Sequence, residues 1–254
     1  MRSTAVVLVW LASAACGGNA RGEVGQVVES QRQLIVALDL SGSQSEHGRA
    51  QARQALELVI EDLQFGDRIV LLQVHQRSAV EDAAVRWAEN VASPENGSRP
   101  TSLDRERLDA VKQAARSVAR AIFENEDAGQ LPTTDLFATL HIAAEYVRDE
   151  PARHTTLVLL SDMLQSAHGV EMGRDGGVPP PGWLAQQRQA GLLPGLAGVC
   201  VVVVGADATT PNGVAVRNFW LDYFENAGAT LAERNYRLIA TDPSAVTCAR
   251  PEAS

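Results

Sequence analysis

Three uninterrupted runs of apolar residues constrain the fold of this chain most strongly. They lie within the predicted strands at residues 33–40, 154–162 and 198–206, and read LIVAL, LVLL and VCVVVV. Such continuous apolar runs are typical of strands with both faces buried, as in a parallel sheet that helices cover on each side. Segments with apolar residues at helical spacing lie between these runs. The pattern predicts an α/β fold with a doubly wound, mostly parallel central sheet flanked by helices on both faces.

The chain is long enough, at 254 residues, to form one domain with a sizeable core. We place that domain at residues 33–241, after a polar tether and before a weak C-terminal tail at 242–254. Besides the three strands above, we expect strands at 68–75 and 236–242, a short edge strand near 79–88, and helices at 48–64, near 108–122, and at 135–148, 182–190 and 214–227.

The N-terminal residues have the pattern of an export signal. Arg2 precedes a small, apolar stretch at residues 5–15, which is too short to span a bilayer and ends directly before Cys16. The segment resembles a bacterial lipoprotein signal, so we expect a signal peptide at 1–15, a lipidated Cys16 and a tether up to residue 32. The alternative is cleavage by the ordinary signal peptidase. We therefore expect a lipid anchor in the bacterial cell envelope, facing the periplasm or the cell surface, or secretion if Cys16 is not lipidated.

Net charge and cysteine content bear on the type of partner and on a disulfide. The net charge of −9 argues against nucleic acid as a partner. An exported chain meets oxidising conditions, so Cys200 and Cys248 can form a disulfide. Cys200 lies in a predicted buried strand, where unbonded cysteines are also common. Both alternatives remain open at this stage.

Five oxygen-bearing residues recur where the sheet edge would place them. They are Asp39, Ser41, Ser43, Thr134 and Asp162. Asp39 and Asp162 directly follow predicted strands, so both fall at the carboxyl edge, where α/β sheets bind ligands. Oxygen donors of this kind suit a hard divalent cation such as Mg²⁺. Taken singly, each residue could instead be a turn, a helix cap or a strand-end acid.

The spacing of these residues resembles a known family. The motifs are DLSGS at 39–43, TTDLFATL at 133–140 and LLSD at 159–162. In this order they are similar to a von Willebrand factor type A domain with an intact metal-ion-dependent adhesion site, over residues 33–241. The resemblance implies that Ser41, Ser43 and Thr134 bind Mg²⁺ or Mn²⁺ directly. It implies that Asp39 and Asp162 hold the ion through water or hydrogen bonds.

The sequence thus predicts a binding protein rather than an enzyme. A bound divalent ion would capture an acidic side chain of a protein partner. One alternative is an envelope scaffold with a structural metal site, whose partner binds elsewhere, for example at the Pro-rich loop at 173–182. The other is a metal-assisted hydrolase, which needs a nucleophile or general base near the ion; none is evident in the sequence. Glu46 and His47 lie close to the predicted site.

Overall fold

The computed structural model describes residues 31–42, 45–74, 85–95, 98–124, 133–173 and 177–248. Its strands are β1 Arg32–Asp39, β2 Arg68–Val74, β3 Val85–Asn90, β4 His154–Leu160, β5 Cys200–Val204 and β6 Thr230–Arg237. Its helices are α1 Glu46–Glu61, α2 Ser102–Phe123, α3 Leu136–Asp149, α4 Trp183–Gln189 and α5 Pro211–Asn226, followed by a 3₁₀ turn at Pro243–Ala245. Within these residues no helix is both long and apolar enough to cross a membrane.

The six strands form one sheet in the order β3-β2-β1-β4-β5-β6. All neighbouring pairs are parallel except β2 and β3, which are antiparallel. β1 lies in the centre, and its residue Leu38 pairs with Gln73 of β2 and Leu160 of β4. The α/β fold class predicted from the sequence is therefore confirmed, with one antiparallel edge strand.

Helices cover both faces of the sheet, because side chains on a strand alternate between its two faces. One face carries Leu34, Val36 and Leu38 of β1 and packs against α1 and α2. The other face carries Ile35 and Ala37 and packs against α3 and α5. This two-sided burial explains why the runs in β1, β4 and β5 contain so few polar residues.

The last strand differs from its predicted position. The sequence analysis places it at 236–242, but β6 spans Thr230–Arg237. Gly228 has a left-handed φ of 83° just beyond α5, and the chain turns there straight into the sheet. β6 is an edge strand with few buried residues, so it lacks an apolar run. The apolar pair Leu238 and Ile239, which suggested the later position, is instead exposed by 46% and 47%.

Residues 242–248, the described part of the predicted C-terminal tail, pack onto the domain. Ala245 and Val246 are buried in the core beneath α1. Cys248 forms a disulfide with Cys200 at the start of β5. Of the two alternatives for these cysteines, the structure has the bonded one, and it attaches the end of the described chain to the sheet.

Candidate functional site

The predicted site begins at Asp39, the last residue of β1. Its side chain is almost fully buried, with 1% exposed. Oδ1 accepts a hydrogen bond from the backbone N–H of Ser41 at 2.9 Å, and Oδ2 accepts one from the hydroxyl of Ser161 at 2.6 Å. Ser161 directly follows β4. Because β1 and β4 are parallel neighbours, their carboxyl ends meet, and this pair of side chains joins them.

The loop that follows β4 carries Asp162 and has a strained backbone. Oδ1 of Asp162 accepts a hydrogen bond from the N–H of Leu164 at 3.1 Å. Met163 has a φ of 64°, in the left-handed region that residues with a side chain seldom adopt. Its N–H donates to Oγ of Ser161 at 2.8 Å, and its carbonyl accepts from Nε1 of Trp220 at 2.9 Å. These two bonds hold the loop in its conformation, and such strain often marks functional sites.

Thr134 is fixed to the same loop from the other side. Its N–H donates to Oγ of Ser166 at 2.8 Å, and its carbonyl accepts from the N–H of Ser166 at 3.0 Å. Oε1 of Gln165 accepts a hydrogen bond from the N–H of Leu136 at 2.7 Å. Asp135, not Thr134, caps α3 by accepting from the N–H of Ala138. The simple capping role therefore does not account for Thr134, which is 1% exposed.

Asp39 and Thr134 each hydrogen-bond to the segment 161–166, Asp162 belongs to that segment, and the N–H of Ser41 donates to Asp39. Asp39 ends β1 and Ser41 lies two residues beyond it, Asp162 follows β4, and Thr134 precedes α3. The fifth predicted ligand, Ser43, lies outside the described residues, as does Cys16. Glu46 and His47 form the first turn of α1, and Nε2 of His47 lies 2.8 Å from Nε2 of Gln51.

The chemistry of this set fits a hard divalent cation. It combines two carboxylates with the hydroxyls of Ser41 and Thr134, and oxygen donors are what Mg²⁺ and Mn²⁺ prefer. Both oxygens of Asp39 already accept hydrogen bonds, which suits a carboxylate that holds an ion through water. Across the described residues, no group of three or more His, Cys, Asp or Glu side chains could hold a metal. A site here would therefore depend on its hydroxyl donors.

Sequence reasoning missed the residues that support this arrangement. Ser161 bridges Asp39 and Met163, Ser166 and Gln165 fix the Thr134 segment, and Trp220 holds Met163. A hydroxyl residue directly between a buried strand and a predicted ligand was a usable signal for Ser161. No local pattern marks Gln165 or Trp220, because their partners are distant in sequence.

Two of the cavities beside α5 bear on the alternatives for function. The larger, of about 960 Å³, lies between residues 178–189 and α5, and none of its lining residues belongs to the predicted metal set. It includes part of the Pro-rich loop that the scaffold alternative invokes. The other, of about 660 Å³, lies between the first turns of α1 and α5 and includes Asp162 in its lining. Among the described members of the predicted metal set, Asp162 alone borders this cavity.

The arrangement defines an α/β domain with polar residues gathered at the carboxyl edge of its central strands. No family model matches the chain, and no curated protein matches it. Among solved structures, it is similar to proximal thread matrix protein 1 from the mussel byssus, at 15% identity and a TM-score of 0.38 over 85% of this chain and 45% of that one. It therefore spans less than half the length of that protein.

Two further solved structures are similar over 85% of this chain. A von Willebrand factor type A protein from Catenulispora acidiphila is 15% identical, with a TM-score of 0.41 and 40% of its own chain covered. The manganese-loaded TRAP protein of Plasmodium vivax is 14% identical, with a TM-score of 0.43 and 71% of its chain covered. At these low values the assignment of the fold rests on the strand order and register described above.

Proposed function

We propose that this chain is a von Willebrand factor type A binding domain that holds Mg²⁺ or Mn²⁺ at the carboxyl edge of β1 and β4. One observation carries the proposal: Asp39 and Thr134, which are distant in sequence, both hydrogen-bond to the segment 161–166. That segment also carries Asp162. An adhesion-type metal site needs such a convergence, whereas isolated caps and turns do not.

The function that suits this site is capture of an acidic side chain from a protein partner. A bound ion would supply the positive charge that attracts a carboxylate. Ser41 and Thr134 would contribute uncharged oxygens, and Asp39 would act through water, so few carboxylate oxygens would coordinate the ion directly and it would stay electrophilic. Because the net charge of the chain is −9, an acidic partner is repelled at long range, and the attraction must be local.

We favour binding over catalysis because the histidines described near the site are each engaged by another side chain. Of the described histidines closest to the site in sequence, His47 contacts Gln51, and His168 contacts Asp135 at 2.8 Å. A metal-assisted hydrolase would need one of these, or another base, directed at a bound water. Release of product from generic ester or phosphoester substrates would instead support the hydrolase alternative.

Isothermal titration with Mg²⁺ and Mn²⁺ tests the metal site directly. We expect one weak site in the wild type and none in Asp39→Ala. Asp222→Ala is a matched control, because Asp222 is an exposed carboxylate on the other side of α5. Equal metal affinity in the wild type and Asp39→Ala would contradict the proposal.

Partner capture separates the adhesion-type function from the scaffold alternative. Proteins of an envelope fraction would be captured with Mg²⁺ and with EDTA, by the wild type and by Thr134→Ala. We expect capture to need both the metal and the Thr134 hydroxyl. Capture that is equal in all four combinations would support a scaffold whose partner binds elsewhere.

We also propose that the protein is exported and anchored in the bacterial cell envelope by a lipid on Cys16, facing the periplasm or the cell surface. Membrane fractionation and the mass of the processed chain test this directly. We expect the Cys16→Ser variant to be absent from the membrane fraction, and its mass to lack the contribution of the lipid. Unchanged fractionation and mass would contradict the anchor.

A further inference from the structure

The cavity between α1 and α5 has features that the metal site does not explain. It has a volume of about 660 Å³ and is lined on one side by His47 and Gln51 of α1. On the other side are Asp207 and the first turn of α5. Among the described members of the predicted metal set, only Asp162 is in its lining. Most of the cavity wall is therefore independent of the metal ligands.

Gln51 in this wall has an unsatisfied hydrogen-bonding atom. Its side chain is 7% exposed, and Nε2 lies 2.8 Å from Nε2 of His47. Its Oε1 is buried and has no hydrogen-bond partner in the described part of the chain. Buried polar atoms nearly always have partners, so an exception beside a cavity points to a ligand that donates a hydrogen bond.

The same wall is negatively charged. Asp162 and Asp207 both line it, and its lining contains no Lys or Arg. The hydroxyl and the N–H of Thr209 donate to Oδ1 of Asp207 at 2.6 and 2.7 Å and hold the pKa of that carboxyl below its usual value. Asp207 therefore remains ionised at neutral pH, and the cavity attracts positive charge.

An anion is a poor occupant, although two helices begin here. The N–H of Gly48 at the start of α1 already donates to Oγ of Ser45 at 3.0 Å. The N–H of Gly213 at the start of α5 donates to Oγ1 of Thr210 at 3.0 Å. With these donors engaged and two carboxylates in the wall, the balance of charge favours a cation.

We propose that this cavity binds the guanidinium group of an arginine side chain from a protein partner. Guanidinium presents five N–H donors in one plane, which suits several separate acceptors better than a single ammonium group does. Leu164, Val216 and Leu238 also line the cavity and would contact the methylene stem. That this arginine accompanies a metal-bound carboxylate rests on the proposed function; binding in the cavity itself does not require the metal.

The test uses small probes in the presence of EDTA, so that the metal site does not contribute. N-acetyl-arginine methylamide is titrated into the full chain, and binding is followed by amide chemical shifts in NMR spectra. Its neutral isostere, N-acetyl-citrulline methylamide, and N-acetyl-lysine methylamide are compared. We expect millimolar binding of the arginine probe, and binding weaker by about tenfold or more for citrulline, since hydrogen bonds between charged groups are stronger.

Variants locate the binding. Gln51→Leu and Asp207→Asn should each weaken binding of the arginine probe several-fold. Asp222→Asn, on the other side of α5, should leave this binding unchanged. Equal binding of the arginine and citrulline probes, or no effect of either cavity variant in a folded protein, would overturn the proposal. If the lysine probe binds as tightly as the arginine probe, the cavity does not select a guanidinium group.

The metal-site variant distinguishes the two proposals from each other. Asp39→Ala should lose Mg²⁺ but keep the arginine probe. If the wild type binds metal but not the arginine probe, this inference is wrong and the proposed function stands. If the wild type binds the arginine probe but not metal, only the proposed function is wrong.

Discussion

The hydroxyl of Ser161 donates a hydrogen bond to Oδ2 of Asp39 at 2.6 Å, across 122 positions of sequence. Oγ of Ser161 also accepts a hydrogen bond from the N–H of Met163 at 2.8 Å. One small side chain therefore satisfies a buried carboxylate and supports a strained backbone. It connects the two central strands at the edge where the predicted ligands gather.

Ser161→Ala should destabilise the protein by about 1–3 kcal/mol, because it leaves a buried acceptor and a buried N–H without their shared partner. Urea unfolding measures this free energy. Ser117→Ala is the matched control: its hydroxyl donates to the carbonyl of Gln113 on the exposed side of α2. We expect a change below about 0.5 kcal/mol there. Equal effects of the two variants would show that the Ser161 bonds contribute no special stability.

Gly213→Ala should destabilise the fold although alanine is the better helix former. A Cβ at Gly213 would lie 2.2 Å from the carbonyl oxygen of Asp207, so the first turn of α5 would have to move. Overpacking of this kind costs about 1–3 kcal/mol, whereas helix propensity alone favours alanine by about 1 kcal/mol. The sign of the change in thermal or urea unfolding therefore decides which effect wins.

Gly195→Ala controls for that substitution, because a Cβ at Gly195 would have no atom within 4 Å. It should change the free energy of unfolding only slightly. A Gly213→Ala protein as stable as Gly195→Ala would mean that α5 begins farther from Asp207 than the structure shows.

Stability should fall at alkaline pH. Burial raises the pKa of Tyr223 above its ordinary value, and burial together with Asp162 and Asp207 raises the pKa of Tyr236. Above about pH 10 the unfolded chain releases protons that the folded chain retains, so the free energy of unfolding decreases as pH rises. Urea unfolding at several pH values would measure this decline. Tyr223→Phe should make it shallower, and an unchanged slope would contradict the assignment.

Loss of the disulfide should loosen the end of the described chain. Cys200 and Cys248 are 48 residues apart, and closing a loop of that size stabilises a fold by roughly 4 kcal/mol on a chain-entropy estimate. Cys248→Ser should therefore lower the unfolding midpoint. Thiol labelling of the unreduced, unfolded wild type should detect neither cysteine. Labelling of both would show that the bond does not form.

Sequence patterns identified the fold where burial is symmetric. The apolar runs of β1, β4 and β5 need no tertiary information, because a strand covered on both faces is apolar over most of its length. β6 was misplaced for the converse reason. At the sheet edge its polar residues face solvent, and the exposed pair Leu238 and Ile239 imitated a strand signal.

The site was predictable only in part. The positions of Asp39 and Asp162 follow from the strand ends, whereas Thr134 lies before α3; Asp39 and Thr134 both hydrogen-bond to the segment 161–166. The bonds that join Thr134 and Asp39 to this segment link residues 32 and 122 positions apart, which no local pattern encodes. The unsatisfied oxygen of Gln51 likewise depends on the packing of α1 against other elements.

The central position of β1 also has a consequence for how the chain is made. Its first neighbour, β2, begins at Arg68, but its second neighbour, β4, begins only at His154. A chain synthesised from its N-terminus would expose one apolar edge of β1 until β4 emerges. Such distant pairing slows folding and invites association of incomplete chains. Assembly of this domain therefore waits for the middle of its sequence, and chaperone protection matters most during that interval.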